Sequence, residues 1–145
     1  MVDILWQRGE KYAALALEEL WNELAQTRPF ALLCGYRLDI FNIDVQTADL
    51  PDVFCTHAHV RPAADPSRLA AAVDRALTEV VGSRKAAHVY LEVAERVPRG
   101  HVPRAQAVLT FLSTTDTLLA KSVLERVRSL YAAAGRRKGA SAPPP

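Results

Sequence analysis

The run Pro29-Phe30-Ala31-Leu32-Leu33-Cys34-Gly35 constrains this chain most. Pro29 ends the helix before it, because the residue preceding a proline avoids the helical region. The five apolar residues from Phe30 to Cys34 are too few for a buried helix and suit a strand covered on both faces. A helix feeding a buried strand is the repeating unit of an α/β domain. Buried strand backbone needs hydrogen-bond partners. The expected partners are the segment Ile40–Val45 or a strand from another chain.

The rest of the chain reads as helices. The first is expected from near Asp3 to Pro29, weakened at Gly9, with Leu5, Tyr12, Ala13, Ala16, Leu17, Leu20, Trp21 and Leu24 as its apolar stripe. Asp39–Pro51 is ambiguous: Ile40, Phe41, Ile43 and Val45 suggest a second short strand, while Asn42, Asp44 and Asp49 interrupt it. Val53–Val60 fits either a turn of helix or an extended piece. Asp65 and Pro66 open a further helix, with Leu69, Val73, Leu77 and Val80 on one face and Gly82 as its stop. Ser83–Val97 reads as a helix that buries Ala87, Tyr90, Leu91 and Ala94. After a turn at Pro98-Arg99-Gly100, Pro103 opens a helix carrying Ala105, Val108, Leu109 and Leu112. Thr115 or Asp116 caps the last helix, with Leu119, Val123, Val127 and Leu130 inward. The expected fold is therefore a helix-rich α/β domain with about five helices and a small sheet.

At 145 residues the chain is long enough for one core. A single domain over residues 1–134 and a disordered tail over 135–145 are expected, since the end is Gly-Ala-Ser-Ala-Pro-Pro-Pro. No apolar run reaches the ~20 residues that span a bilayer. The N-terminus mixes acidic and basic residues without an apolar core, so no signal peptide is expected and the expected compartment is the cytoplasm. Two cysteines, Cys34 and Cys55, are too few for a disulfide scaffold and are expected reduced. A net charge of +2 does not suggest a nucleic-acid surface. Arg136-Arg137-Lys138 is the only dense basic run.

Several segments together resemble a known family. Met1, Val2, Leu5 and Trp6 precede Glu19-Leu20-Trp21-Asn22; Leu33-Cys34-Gly35-Tyr36 follows, then His57, His59, Val60 and Pro62. This order is similar to the second half of the MEDS domain, the sensory domain named for methanogens, methylotrophs and the dichloromethane-metabolism repressor. The similarity covers residues 1 to about 80. It implies a RecA-like α/β fold without a working ATPase, in proteins thought to sense small molecules. Two departures stand out. The family's N-terminal half, with its degenerate phosphate loop, has no counterpart here, and Arg37 stands where the family has proline. The resemblance thus implies a truncated remnant of the domain.

Three groups of residues carry candidate chemistry. Cys34, Tyr36 and Arg37 end the expected strand, where ligands bind in open α/β sheets. With His59 they form a candidate ligand site, in which Arg37 would offer a fork for an anion. Cys55, His57 and His59 alternate, so an extended backbone would aim all three to one side as metal ligands. The competing reading of the two histidines is structural. A Cys34–His57 nucleophile pair lacks an orienting acid at a recognisable spacing. Neither G-x-G-x-x-G nor G-x-x-x-x-G-K-[ST] occurs, so nucleotide hydrolysis is not expected. Trp21, Phe30 and Leu32 are the candidate partner contacts. The functional expectation is a cofactor-free, non-enzymatic signalling or regulatory module that acts by associating with a protein partner or its own copy. Small-molecule sensing of C1 compounds or organic acids, and a metal-dependent enzyme using His57 and His59, are the alternatives.

Overall fold

The computed structural model describes residues 2–97 and 102–139, with side chains through residue 135. The expected turn at Pro98-Arg99-Gly100 and most of the tail lie outside the described residues. Among the described residues seven α-helices follow in order: α1 (Val2–Gln7), α2 (Lys11–Thr27), α3 (Leu50–Thr56), α4 (Pro66–Val81), α5 (Ser83–Arg96), α6 (Arg104–Thr115) and α7 (Thr117–Gly139). A π-helical turn, Val45–Asp49, runs directly into α3. No strand is present among the described residues, so the expected α/β fold with a small sheet is replaced by an all-helical one.

The reason lies in two places. Phe30 to Leu33 are exposed, so water can satisfy their backbone and no ladder is required. The expected partner, Ile40–Val45, instead turns into helix. Its backbone donors are taken by short polar side chains: Phe41 N–H donates to Asp39 Oδ1 at 3.0 Å and Asp44 N–H to Asn42 Oδ1 at 2.8 Å. Asp and Asn make such local bonds in competition with sheet pairing. Residues 29–38 form neither helix nor strand, and from Cys34 to Leu38 their burial alternates as along an extended backbone. Cys34, Tyr36 and Leu38 are half-buried, whereas Gly35 and Arg37 face out.

α4 to α7 pack on one another around the main core, built from Leu69, Val73, Leu77, Val108, Leu109, Val123 and Val127. The punctuation read in the sequence is realised here. Asp65 accepts from Arg68 N–H at 2.9 Å, Gly82 sits at φ 78°, and Asp116 accepts from Leu119 N–H at 3.0 Å. On α5 the buried residues are Ala86 and Val93, while the expected Leu91 is 64% exposed. α7 continues past the expected boundary at 134, to Gly139.

A second, smaller core joins α1, α2, α3 and the extended segment through Val2, Trp6, Ala14 and Val53. The single helix expected from Asp3 to Pro29 breaks at Gly9, where φ is 79°. Glu10 N–H reaches Leu5 O at 2.9 Å and Gly9 N–H reaches Trp6 O at 3.0 Å, a Schellman closure that needs a left-handed residue. After the break, α2 sits rotated from its expected face. Ala14 and Glu18 point inward, one turn apart, whereas Tyr12 is 86% and Leu20 60% exposed.

The π-helical turn stitches the two cores. Pro51 has no N–H and would crowd the carbonyl four residues earlier in a regular helix, and a widened turn relieves that crowding. It also buries Gln46 and Asp49. Gln46 Oε1 accepts from Gln106 Nε2 at 3.0 Å and from Thr110 Oγ1 at 2.7 Å, both on α6. Asp49 pairs with Lys11 at the start of α2.

Candidate functional site

Glu18 is the anchor of the site. It is 2% exposed, and it is buried because α2 turns Ala14 and Glu18 onto the extended segment. Tyr36 Oη donates to its Oε1 at 2.9 Å, and Cys34 Sγ donates to its Oε2 at 3.3 Å. Alternation along the extended backbone makes this possible, since residues two apart share a face. Tyr36 is wedged edge-on between Trp6 and His57, with ring centroids 5.1 Å and 5.7 Å away.

His57 caps α3 at the point where the backbone becomes extended. Asn22 Nδ2 on α2 holds the end of that helix by donating to Thr56 O at 2.9 Å. His57 Nδ1 lies 2.8 Å from Val53 O and 2.9 Å from Thr56 Oγ1, so the end of α3 holds the ring in place. The other ring nitrogen, Nε2, faces Glu18. It lies 3.5 Å from Glu18 Oε2 but makes no hydrogen bond to it and is buried without any other. Glu18, Cys34 and His57 thus bring one oxygen, one sulfur and one nitrogen to within 4.8 Å of one another.

Burial, reinforced by the Glu18 hydrogen bond, pushes the Cys34 thiol up to about 12 and raises the Tyr36 phenol as well. Only a thiolate alkylates, so at pH 8 in chelator-treated protein Cys34 is expected to react with iodoacetamide roughly three orders of magnitude more slowly than an ordinary thiol. Its rate should climb about tenfold per pH unit towards pH 12, because the thiolate fraction does. Peptide mapping separates it from Cys55, which is exposed. Equal labelling of the two at pH 8 would contradict the burial of Cys34.

Beside this cluster lies a cavity of about 520 Å³. Leu32, Leu38, Leu50, Val53 and Val60 give it apolar walls, and Cys34, Tyr36, His57 and His59 also line it. Gln106 of α6 reaches it from the main core. It is 1% exposed, its Nε2 is engaged by Gln46, and its Oε1 has no hydrogen-bond partner.

The sequence-derived site residues separate cleanly. Cys34, Tyr36 and His59 line the cavity, and Arg37 does not. Arg37 falls on the outward side of the alternation, with its N–H donating to Asp3 Oδ1 at 2.9 Å and its carbonyl accepting from Gln7 Nε2 at 3.1 Å. The trio Cys55, His57 and His59 is not a ligand set. Its premise was an extended backbone, and Cys55 instead lies on α3, exposed, while His57 turns towards Glu18. Trp21 and Phe30 stack edge-on at 6.3 Å, and Leu32 lines the cavity. Glu18 and Gln106 were missed. A carboxylate on an otherwise apolar helical face was the available signal for Glu18; nothing in the sequence marks Gln106. No family model matches the chain, and neither does a curated protein or a solved structure.

Proposed function

We propose that this chain is a non-catalytic regulatory module that senses a small, largely apolar organic molecule in the cavity beside Glu18. The observation that carries the reading is Gln106. Its side chain lines the cavity and holds a buried acceptor without a partner, a polar position at the edge of an otherwise apolar pocket. The cavity's size falls in the range of small-molecule sites, and its lining has the usual makeup of apolar walls with few polar groups. Three of the four ligand candidates named from the sequence, Cys34, Tyr36 and His59, line the cavity. Cys34 is poorly suited to nucleophilic work, because burial beside a carboxylate keeps its thiol protonated.

Thermal-shift screening with short alcohols, C1 compounds and organic acids tests this reading. A ligand at a hundred times its dissociation constant is expected to raise the melting temperature by about 5–10 °C. Ala63→Phe, at the cavity wall, should abolish the shift without lowering the melting temperature of the free protein. A shift that survives in Ala63→Phe would place the ligand elsewhere.

Self-association is the second reading, and a surface feature favours it. Seven of the ten large hydrophobic residues that are exposed among the described residues, Ile4, Tyr12, Leu20, Leu24, Phe30, Leu32 and Leu33, fall in the first 33 positions. A second copy of the chain would offer them cover from water. Light scattering should give twice the chain's molar mass, falling to that of a monomer in the Leu20→Glu, Leu33→Glu double variant. A monomer at every concentration tested would remove this reading.

A further inference from the structure

We propose that Glu18, Cys34 and His57 bind a divalent transition-metal ion, zinc by the character of the donors, with one coordination position left open to the cavity that Cys34 and His57 line. The inference stands apart from the organic-ligand reading, because it concerns only what sits between these three side chains.

The geometry makes the argument. His57 Nδ1 is engaged at the end of α3, while Nε2 and an oxygen of Glu18 face each other at 3.5 Å without a hydrogen bond, Nε2 being buried with no other partner. A buried nitrogen without a partner beside a buried carboxylate oxygen is an arrangement that a cation between them would complete. The groups that meet Glu18 are a thiol, a phenol and an imidazole, none of them a lysine or arginine. Buried carboxylates are paired or coordinate metals. A divalent ion supplies the missing charge, since a carboxylate and a thiolate cancel it and the imidazole adds none.

The donor set matches as well. Sulfur, nitrogen and oxygen ligands with one open position are those of non-structural zinc sites. The surrounding bonds resemble the support that such ligands receive. Val53 O and Thr56 Oγ1 hold Nδ1 of His57, and Tyr36 Oη holds the other oxygen of Glu18. The three ligands come from α2, the extended segment and the end of α3, so the ion would join the parts of the smaller core. On binding, the Cys34 S–H bond breaks, a metal–sulfur bond forms and the proton leaves to solvent.

The test uses the full chain stripped with a chelator and titrated with Co²⁺, then Zn²⁺. The expected result is one Co²⁺ per chain with a thiolate-to-cobalt charge-transfer band that Zn²⁺ removes. The band should be absent in Cys34→Ser and unchanged in the Cys55→Ser, His59→Ala double variant. Tyr36→Phe should weaken zinc binding about 10- to 100-fold. X-ray absorption on zinc-loaded Cys55→Ser keeps the test valid if Cys34→Ser does not fold. One sulfur at about 2.3 Å with nitrogen and oxygen at about 2.0–2.2 Å is expected. No sulfur in that shell, a full charge-transfer band in Cys34→Ser, or its loss in the Cys55→Ser, His59→Ala variant would each overturn the proposal.

Discussion

Glu18→Leu is expected to destabilise the metal-free protein by about 2–4 kcal/mol, because it strands two buried donors at once. Tyr36 Oη and Cys34 Sγ both give their hydrogen to this carboxylate. Leucine fills much of the volume and accepts nothing. Tyr36→Phe removes one donor and its partner's bond, which costs about 1.5–3 kcal/mol for a bond to a carboxylate. The double variant Glu18→Leu, Tyr36→Phe removes donor and acceptor together. Its loss should be smaller than the sum of the two single losses by about 1–3 kcal/mol. Urea unfolding of the four proteins, in the presence of chelator, measures this coupling. Strict additivity would mean that the Tyr36–Glu18 bond contributes nothing to the fold.

Leu77→Ala should cost about 3–5 kcal/mol, near the top of the range for such substitutions. Leu77 has no exposed surface and sits in α4, the helix that packs against α5, α6 and α7 together. Its neighbours Val73, Val108 and Val123 are also fully buried, and β-branched side chains repack poorly into a void. At about 2–4 °C per kcal/mol for a chain of this length, the melting temperature should fall by roughly 6–20 °C. Leu33→Ala is the matched control. Leu33 is 96% exposed, and its replacement should shift stability by less than about 0.5 kcal/mol. Calorimetry on the two variants decides the point. Equal losses would show that Leu33 is covered in solution, by another copy for instance.

The same leucine shows where reading the sequence fails. A run of five apolar residues suggests burial, and burial of an extended segment suggests a sheet. Here half of that premise holds. From Cys34 to Leu38 burial alternates as along an extended backbone, but Phe30 to Leu33 lie at the surface and need no ladder. Apolar character alone does not say whether another element covers a segment. On α2 the larger hydrophobic residues define a face centred on Leu17, Leu20 and Leu24. The observed face lies about one residue round the helix and includes Glu18. A pattern search treats a carboxylate as a mark of the solvent side, so it turned that face outward.

What the sequence determined by itself was local. Asp65, Pro66, Gly82, Pro103 and Asp116 set helix ends through bonds and dihedral limits that involve only residues a few positions apart. The inward faces of α6 and α7 followed from period alone, and on α4 Leu69, Val73 and Leu77 point inward while the expected Val80 is exposed. Only the tertiary structure decided that Glu18, Cys34, Tyr36 and His57 meet. They come from α2, the extended segment that follows it and the end of α3, with a π-helical turn between the last two. Their meeting depends on how two cores dock, and docking is set by the shapes of surfaces that no short window of sequence contains.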